Sequence, residues 1–199
     1  MATDDPSPFQ SIPWVSKLLQ DDSFVTISIA SRQVKTTSED SLFSTTIKSD
    51  NTLAACLTQY RRPPQPPSDS VQSAPSPKGA EGFRMFFILG SDMNGYPGIL
   101  HGGMVATLLD ECTGLLLSIR GDVGDASQRN ADSDPGPVTA YLNTKFLRPV
   151  RTPGVIVVEA QLKEAKEDRK WKIDGEIRDS QDQILATAES LYVRIRSKI

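Results

Sequence analysis

The chain has 199 residues, a length that favours a single domain with its own buried core. Its 22 basic and 25 acidic residues give a net charge of −3, which disfavours nucleic-acid binding because such proteins normally carry a basic face. Two cysteines and one histidine exclude a disulfide scaffold and a common Cys/His zinc site.

The sequence shows no targeting or membrane signal. No apolar run approaches the roughly 18–20 residues that cross a bilayer. The N-terminus, MATDDPSPF, is acidic and lacks both the apolar region of a signal peptide and the arginine bias of a transit peptide. We therefore expect a protein without a membrane span, cytoplasmic by default, with the mitochondrion as the alternative.

Residues 1–60 are predicted to form an N-terminal extension of short helices and strands. Ile12–Leu19 favours a helix, and Phe24–Ala30 alternates apolar and hydroxyl residues as a strand does. Ser41–Ile47 is a second strand candidate, and Asn51–Tyr60 is predicted to be a helix capped by its asparagine. Residues 61–80 hold six prolines and four serines, which predicts a flexible linker.

Residues 81–199 are predicted to form the compact domain. A strand over Phe83–Leu89 precedes the turn pairs Asn-Gly and Pro-Gly, a helix from Gly102 to Ser118, and a polar loop over Arg120–Pro137. Four strands then follow in quick succession: Val138–Leu147, Gly154–Glu164, Lys170–Arg178 and Ile184–Arg196. One strand, one central helix and an antiparallel series predict an α+β fold.

The predicted helix opens with His101, Gly102 and Gly103. Two consecutive glycines leave backbone N–H groups unshielded at the positive end of the helix dipole, where they can polarise a carbonyl or hold an anion. An ordinary glycine turn into a helix is the structural alternative.

Asp110 lies two turns inside this otherwise apolar helix. Its neighbours on the same helix face are all small apart from Leu117: Gly103, Ala106, Thr107, Thr113 and Gly114. A substrate could therefore approach the carboxylate closely, and a stranded charge in a buried helix is too costly to be accidental. The alternatives are a structural role for Asp110, as a loop cap or an ion-pair partner, and Glu111 as the rival carboxylate, at an edge position typical of a solvated or interface residue.

Helix geometry places the Gly102 N–H and the Asp110 carboxylate far apart. Gly102 and Asp110 are eight positions apart, which is about 12 Å along the axis, whereas a reacting carbonyl must lie within about 3 Å of both groups. If both are catalytic, Asp110 must serve a carbonyl held by Gly102 of a second chain. This predicts a dimer with two sites at its interface.

Together these motifs resemble a known family. The segments GILHGGMVATLLDE (98–111), TAYLNTKFLRP (139–149) and LATAESLYV (185–193) are similar to hotdog-fold acyl-CoA thioesterases of the phenylacetate-pathway type, with fungal-type members carrying comparable N-terminal extensions. The resemblance implies a hotdog fold, in which a curved antiparallel sheet wraps a long central helix. It also implies thioester hydrolysis without a metal or cofactor.

The resemblance also implies roles for individual residues. The Gly102 N–H would polarise the thioester carbonyl, Asp110 would act as nucleophile or as general base, and Thr139 would position the water. His101 would hold the helix start. Substrate contacts are assigned to Asn94, Gly103, Glu111, Asn143 and Arg148, the last because it can meet the phosphates of coenzyme A.

The partners expected from this reading are an acyl-CoA substrate and a second copy of the chain, as a homodimer or as a tetramer formed by two dimers. Two alternatives stay open. One is a hotdog dehydratase, disfavoured because the single histidine lies in the HGG turn. The other is a catalytically inactive acyl-binding or interaction protein.

Overall fold

The computed structural model describes residues 5–63, 76–121, 136–166 and 169–194. Most of the predicted linker (61–80) and most of the predicted polar loop (120–137) lie outside the described residues. The division of the chain into extension, linker and domain stays a prediction.

The described strands, in chain order, are β1 (Phe24–Thr26), β2 (Leu53–Arg61), β3 (Gly82–Leu89), β4 (Asn94–Tyr96), β5 (Ile99–Leu100), β6 (Pro137–Phe146), β7 (Gly154–Lys166), β8 (Lys170–Arg178) and β9 (Ile184–Arg194). Seven of them form one antiparallel sheet in the order β1-β2-β3-β7-β8-β9-β6. The other two, β4 and β5, pair as a small hairpin. The helices are α1 (Ser7–Gln10), α2 (Pro13–Leu19) and α3 (Gly102–Arg120), with a 3₁₀ turn at Ala30–Arg32 and a π-helical turn at Leu42–Thr46.

Helix α3 forms the centre of the molecule. It contacts β3 and all four strands from β6 to β9, so the sheet wraps around it. Leu108, Leu109, Cys112 and Leu116 are fully buried on this face, and each such leucine contributes about 1.5–3 kcal/mol through burial. Gly175 of β8 allows the close approach, since a Cβ there would lie 3.1 Å from Thr113. The predicted α+β architecture, a central helix wrapped by antiparallel strands, is confirmed.

Within the described residues, α3 is long and apolar enough to cross a membrane by length and composition alone, so the expectation that no apolar run approaches that length is wrong. The core helix of a folded domain meets the same criterion, and here the apolar face of α3 packs against the sheet.

Strand β2 corrects the prediction of a helix over Asn51–Tyr60. The strand is buried on both faces: Cys56 and Tyr60 belong to the core around α3, and Leu57 faces the opposite side. A strand covered on both sides reads as a continuous apolar run, which periodicity cannot distinguish from a buried helix. The strand predicted over Ser41–Ile47 is also wrong, because that segment contains the π-helical turn.

Helices α1 and α2 cover the outer face of the sheet. Phe9 and Val15 pack there against Leu57, Phe86 and Val157. The N-terminal residues therefore contribute β1 and β2 to the sheet and two helices to its outer layer. The predicted strand at Phe24 is confirmed but ends at Thr26 rather than Ala30.

Candidate active site

The β4–β5 hairpin sets the point where α3 begins. Its turn is Pro97-Gly98, and Gly98 has a φ of +70°, a conformation that favours glycine. The backbone N–H of His101 donates to the Met93 carbonyl at 2.9 Å. His101 Nδ1 accepts a 2.9 Å hydrogen bond from the Gly103 N–H, so His101 is the N-cap of α3. This geometry fits the helix-start role that the resemblance implies.

Gly102 and Gly103 lie exposed on the first turn of α3. They differ in how much space is available for a side chain. A Cβ at Gly103 would come within 2.9 Å of His101 Nδ1, so the cap requires glycine there. A Cβ at Gly102 would meet the Phe146 ring at 3.6 Å, an ordinary contact. Packing within the chain therefore does not require glycine at position 102, which favours a function for its exposed backbone.

Asp110 is half-buried in the middle of α3, facing the beginning of β6 and the end of β9. Its Oδ1 accepts a 3.0 Å hydrogen bond from the Thr139 hydroxyl. The Tyr192 hydroxyl lies 3.2 Å from the same oxygen and 3.0 Å from the Asp110 carbonyl oxygen, within donating distance of both. Two neutral hydroxyls, from Thr139 and Tyr192, therefore hold the Asp110 carboxylate, and both donate to its Oδ1.

A β-bulge turns Thr139 toward this carboxylate. Thr139 is opposite Tyr192 in the β6–β9 pairing, but the next matched pair is Tyr141 with Leu191, so Ala140 is an extra residue. The bulge allows Thr139 and Leu142 to face α3 although three positions separate them. Bulges commonly re-aim a side chain next to an active site.

Tyr192 is a site residue that the sequence analysis missed. It is buried beneath α3, and its hydroxyl lies 2.8 Å from the Thr113 hydroxyl. Burial raises the pKa of Tyr192, and the nearby Asp110 carboxylate raises it further, so the hydroxyl keeps its proton and remains a donor. The signal available in the sequence was the alternation in LATAESLYV, which places this tyrosine on the helix-facing side.

Glu111 has different surroundings from Asp110. Its Oε1 accepts a 3.1 Å hydrogen bond from Ser31 and lies 3.7 Å from the Arg32 guanidinium. The Glu111 side chain is 18% exposed, so the expectation of a solvated residue is wrong. Burial raises the pKa of Glu111, while Arg32 acts in the opposite direction. The rival carboxylate therefore binds the N-terminal segment.

Asp110, Glu111 and Thr139 line one cavity of about 250 Å³. Its remaining wall residues are Ser31, Asp40, Gly114, Leu115, Leu117, Ser118, Pro137 and Tyr192. A larger cavity of about 630 Å³ lies on the outer face of the sheet and contains none of these side chains. Among the described residues, no group of three or more His, Cys, Asp and Glu side chains could hold a metal ion.

The other predicted substrate contacts are spread around the fold. Asn94 lies in the hairpin before α3, where its side-chain oxygen accepts a hydrogen bond from the Thr152 hydroxyl. Asn143 is exposed and lines the outer-face cavity rather than the Asp110 cavity. Arg148 is exposed just beyond β6 and donates to the Ile184 carbonyl at 2.7 Å. A single chain therefore does not bring these three residues to Asp110.

Comparison with known proteins relates the central part of the chain to thioesterases. Residues 97–186 match the family model of the thioesterase superfamily. Verlamelin biosynthesis protein B from Lecanicillium sp is 31% identical over 137 residues, which cover 61% of this chain and 57% of that protein. The acyl-coenzyme A thioesterase THEM4 of Mus musculus is 30% identical over 107 residues, which cover 53% of this chain and 40% of THEM4. The chain thus spans about half the length of these curated relatives.

Among solved structures, S. sahachiroi AziG has a TM-score of 0.50 and 16% identity, covering 61% of this chain and 87% of that chain. This likeness concerns the fold. The family match contains Gly102, Asp110 and Thr139 and ends before Tyr192. The chain therefore has the hotdog fold, and its residues 97–186 are similar to the thioesterase superfamily.

Proposed function

We propose that this protein hydrolyses an acyl-coenzyme A thioester to the free acid and coenzyme A, with Asp110 as the reacting carboxylate. The observation that carries the proposal is the contrast between two neighbouring acids. Asp110 lies at the cavity wall with two hydroxyl donors, whereas Glu111 is engaged by a buried arginine. Mouse THEM4, whose name is acyl-coenzyme A thioesterase, supports the substrate class.

The chemistry needs one carboxylate and one polarising donor. As general base, Asp110 removes a proton from water, and the resulting hydroxide attacks the carbonyl carbon. The carbon–sulfur bond then breaks, and the proton on Asp110 neutralises the departing thiolate. As nucleophile, Asp110 attacks the carbon itself and expels the thiolate of coenzyme A; water then cleaves the resulting anhydride, which restores the carboxylate, frees the acid and supplies the proton that the thiolate takes up. In both routes Thr139 and Tyr192 hold Asp110, and an N–H stabilises the oxyanion.

That N–H comes from the partner subunit. Gly102 and Asp110 are about 12 Å apart along α3, too far to reach the same carbonyl. Strand β6 lies at the edge of the described sheet, and the apolar Phe146 and Leu147 at its end are more than half exposed. Antiparallel pairing of β6 with its two-fold copy, centred on Asn143 and with Ala140 as the extra residue of the bulge, would set the partner's Phe146 opposite Thr139.

Phe146 lies against Gly102 within each chain. The same two-fold pairing therefore brings the partner's Gly102 toward the Asp110 and Thr139 of this chain, which supports a composite site in a homodimer. A tetramer of two such dimers is compatible with this arrangement.

The proposal is tested by thiol release from a panel of short, medium, long and aromatic acyl-CoAs. We expect Asp110→Asn to lower kcat by about 10²–10⁴-fold while acyl-CoA binding persists, because the amide keeps the shape but cannot accept a proton. Asp92→Asn, an exposed acid outside the cavity, is the matched control and should keep wild-type turnover. A folded wild type that releases no thiol from any substrate would contradict the proposal and favour an acyl-binding role.

A further inference from the structure

The N-terminal segment contributes directly to the candidate active site. Ser31 and Asp40 line the same cavity as Asp110, although they lie about 70 to 80 positions earlier in the chain and outside the residues that match the family model. We call residues 31–40 the N-terminal wall. Because it closes one side of a cavity that holds the reacting carboxylate, its side chains meet whatever group enters there.

Two ion pairs fix this wall. Arg32 is 2% exposed and stacks 4.4 Å from the centre of the Phe43 ring, with its Nη2 3.7 Å from Glu111 Oε1. The Lys35 ammonium lies 2.6 Å from Asp40 Oδ2 at the other end of the wall. A buried charge that lost its partner would be strongly destabilising, so the first pair ties the wall to α3.

The cavity is lined mainly by polar groups. Hydroxyls come from Ser31, Ser118, Thr139 and Tyr192, and carboxylates from Asp40, Glu111 and Asp110. A plain alkyl chain placed there would remove water from these groups without replacing their hydrogen bonds, which is unfavourable. An acyl group with its own donor would compensate that loss, because carboxylate oxygens accept several hydrogen bonds.

Asp40 is suited to this role by its conformation. Its φ of +58° is uncommon for residues other than glycine, asparagine and aspartate, and it turns the chain between the wall and the following helical turn. Glu39 shares the Lys35 ammonium at 3.0 Å but does not line the cavity. Asp40 and Glu39 therefore share Lys35 as their ion-pair partner, but only Asp40 lines the cavity.

We propose that the N-terminal wall is part of the acyl pocket, and that Ser31 and Asp40 select acyl groups carrying a hydroxyl donor over plain alkyl groups of the same length. This inference rests on the proposed hydrolysis of acyl-CoA. It gives the N-terminal segment a direct role in substrate selection.

The test uses the full-length chain with butanoyl-, hexanoyl- and octanoyl-CoA, each beside its analogue with a hydroxyl on the last carbon. We expect wild type to favour one hydroxylated member by about tenfold in kcat/KM, the size of one hydrogen bond to a charged acceptor. Asp40→Gly, which tolerates the positive φ, should abolish that preference, and Asp40→Asn should reduce it. Glu39→Gln should keep it.

The outcomes separate this inference from the proposed function. Hydrolysis of every pair at equal rates, or a preference that survives in Asp40→Gly, would overturn the role of the wall and leave the thioesterase proposal standing. A folded protein that hydrolyses no member of the panel would overturn both. Loss of the preference in Glu39→Gln as well as in Asp40→Gly would assign it to Lys35 rather than to Asp40, which also contradicts the inference.

Discussion

Asp110 and Glu111 are adjacent acids on α3 with different partners. Asp110 accepts hydrogen bonds from neutral hydroxyls, which leave its negative charge available to a proton or to an electrophilic carbon. Glu111 is paired with Arg32, so its charge is compensated within the chain. At the residue scale, this contrast supports Asp110 as the proposed reacting group and a structural role for Glu111.

The hydrogen bond from Tyr192 gives a prediction at the same scale. Tyr192→Phe keeps the buried ring and removes the hydroxyl, so Asp110 loses one of its two donors. We expect kcat to fall about five- to tenfold, the equivalent of one hydrogen bond of roughly 1 kcal/mol. Steady-state thiol release measures the effect.

Tyr141→Phe is the matched control for that change. Tyr141 is on neighbouring β6, and its hydroxyl donates to Glu189 at 2.8 Å on the outer face of the sheet. Its removal should leave kcat unchanged. Equal losses in the two variants would show that the effect at Tyr192 is not specific to Asp110.

The sequence was sufficient to predict part of the site. Asp110 was singled out because an unpaired charge in a buried apolar helix is energetically costly. Thr139 was named because the resemblance to the thioesterases implies a role for it. Tyr192 was missed although the strand alternation places it on the helix-facing side, because its contact with Asp110 joins residues 82 positions apart in the chain. Ser31 and Arg32 were missed because 80 positions separate Ser31 from its partner Glu111.

At the scale of elements, α3 depends on the cap at its first turn. His101 Nδ1 satisfies the Gly103 N–H, one of the helix-start donors that would otherwise lack a partner. His101→Ala should lower the free energy of unfolding by about 1 kcal/mol, and His101→Asn should restore most of it because asparagine is a preferred N-cap. Urea unfolding measures both changes.

The same pair of variants tests whether His101 takes part in catalysis. If its role is the cap, His101→Asn should retain turnover within a few-fold of wild type in the thiol-release assay. An asparagine variant of normal stability that has lost turnover would instead assign a proton-transfer role to the imidazole.

Helices and strands were predictable where the spacing of their apolar residues showed a clear period. The helix at Gly102 and the four C-terminal strands have unambiguous patterns, and the structure contains all of them. Strand β2 was not predictable, because α1 and α2 cover its outer face and remove the alternation that identifies a strand. Its identity became clear only from its pairing with β1 and β3.

At the scale of the whole molecule, the proposed site needs two chains. In the proposed dimer, one chain supplies Asp110, Thr139 and the N-terminal wall, and the other supplies the backbone N–H of Gly102. Helix geometry alone makes this demand, since a rigid rise of about 1.5 Å per residue keeps the two groups apart. The exposed edge strand β6 offers the surface for the pairing.

The most direct measurement mixes two inactive chains. Asp110→Asn removes the carboxylate. Gly102→Pro removes the N–H at the first helical position, where proline is tolerated, and its added Cβ would make only an ordinary contact with Phe146. His101 has φ −59° and ψ 136°, a conformation that permits a following proline. Differently tagged chains are unfolded together, refolded, and purified through both tags to obtain the hybrid dimer.

A hybrid dimer contains one site with both defects and one site with an intact Asp110 and an intact partner Gly102. We predict that each variant stays inactive when it is unfolded and refolded by itself. The purified hybrid should show about half of the wild-type turnover per dimer. A hybrid that forms and remains as inactive as its parents would contradict the shared site, because a site contained within one chain is defective in both protomers.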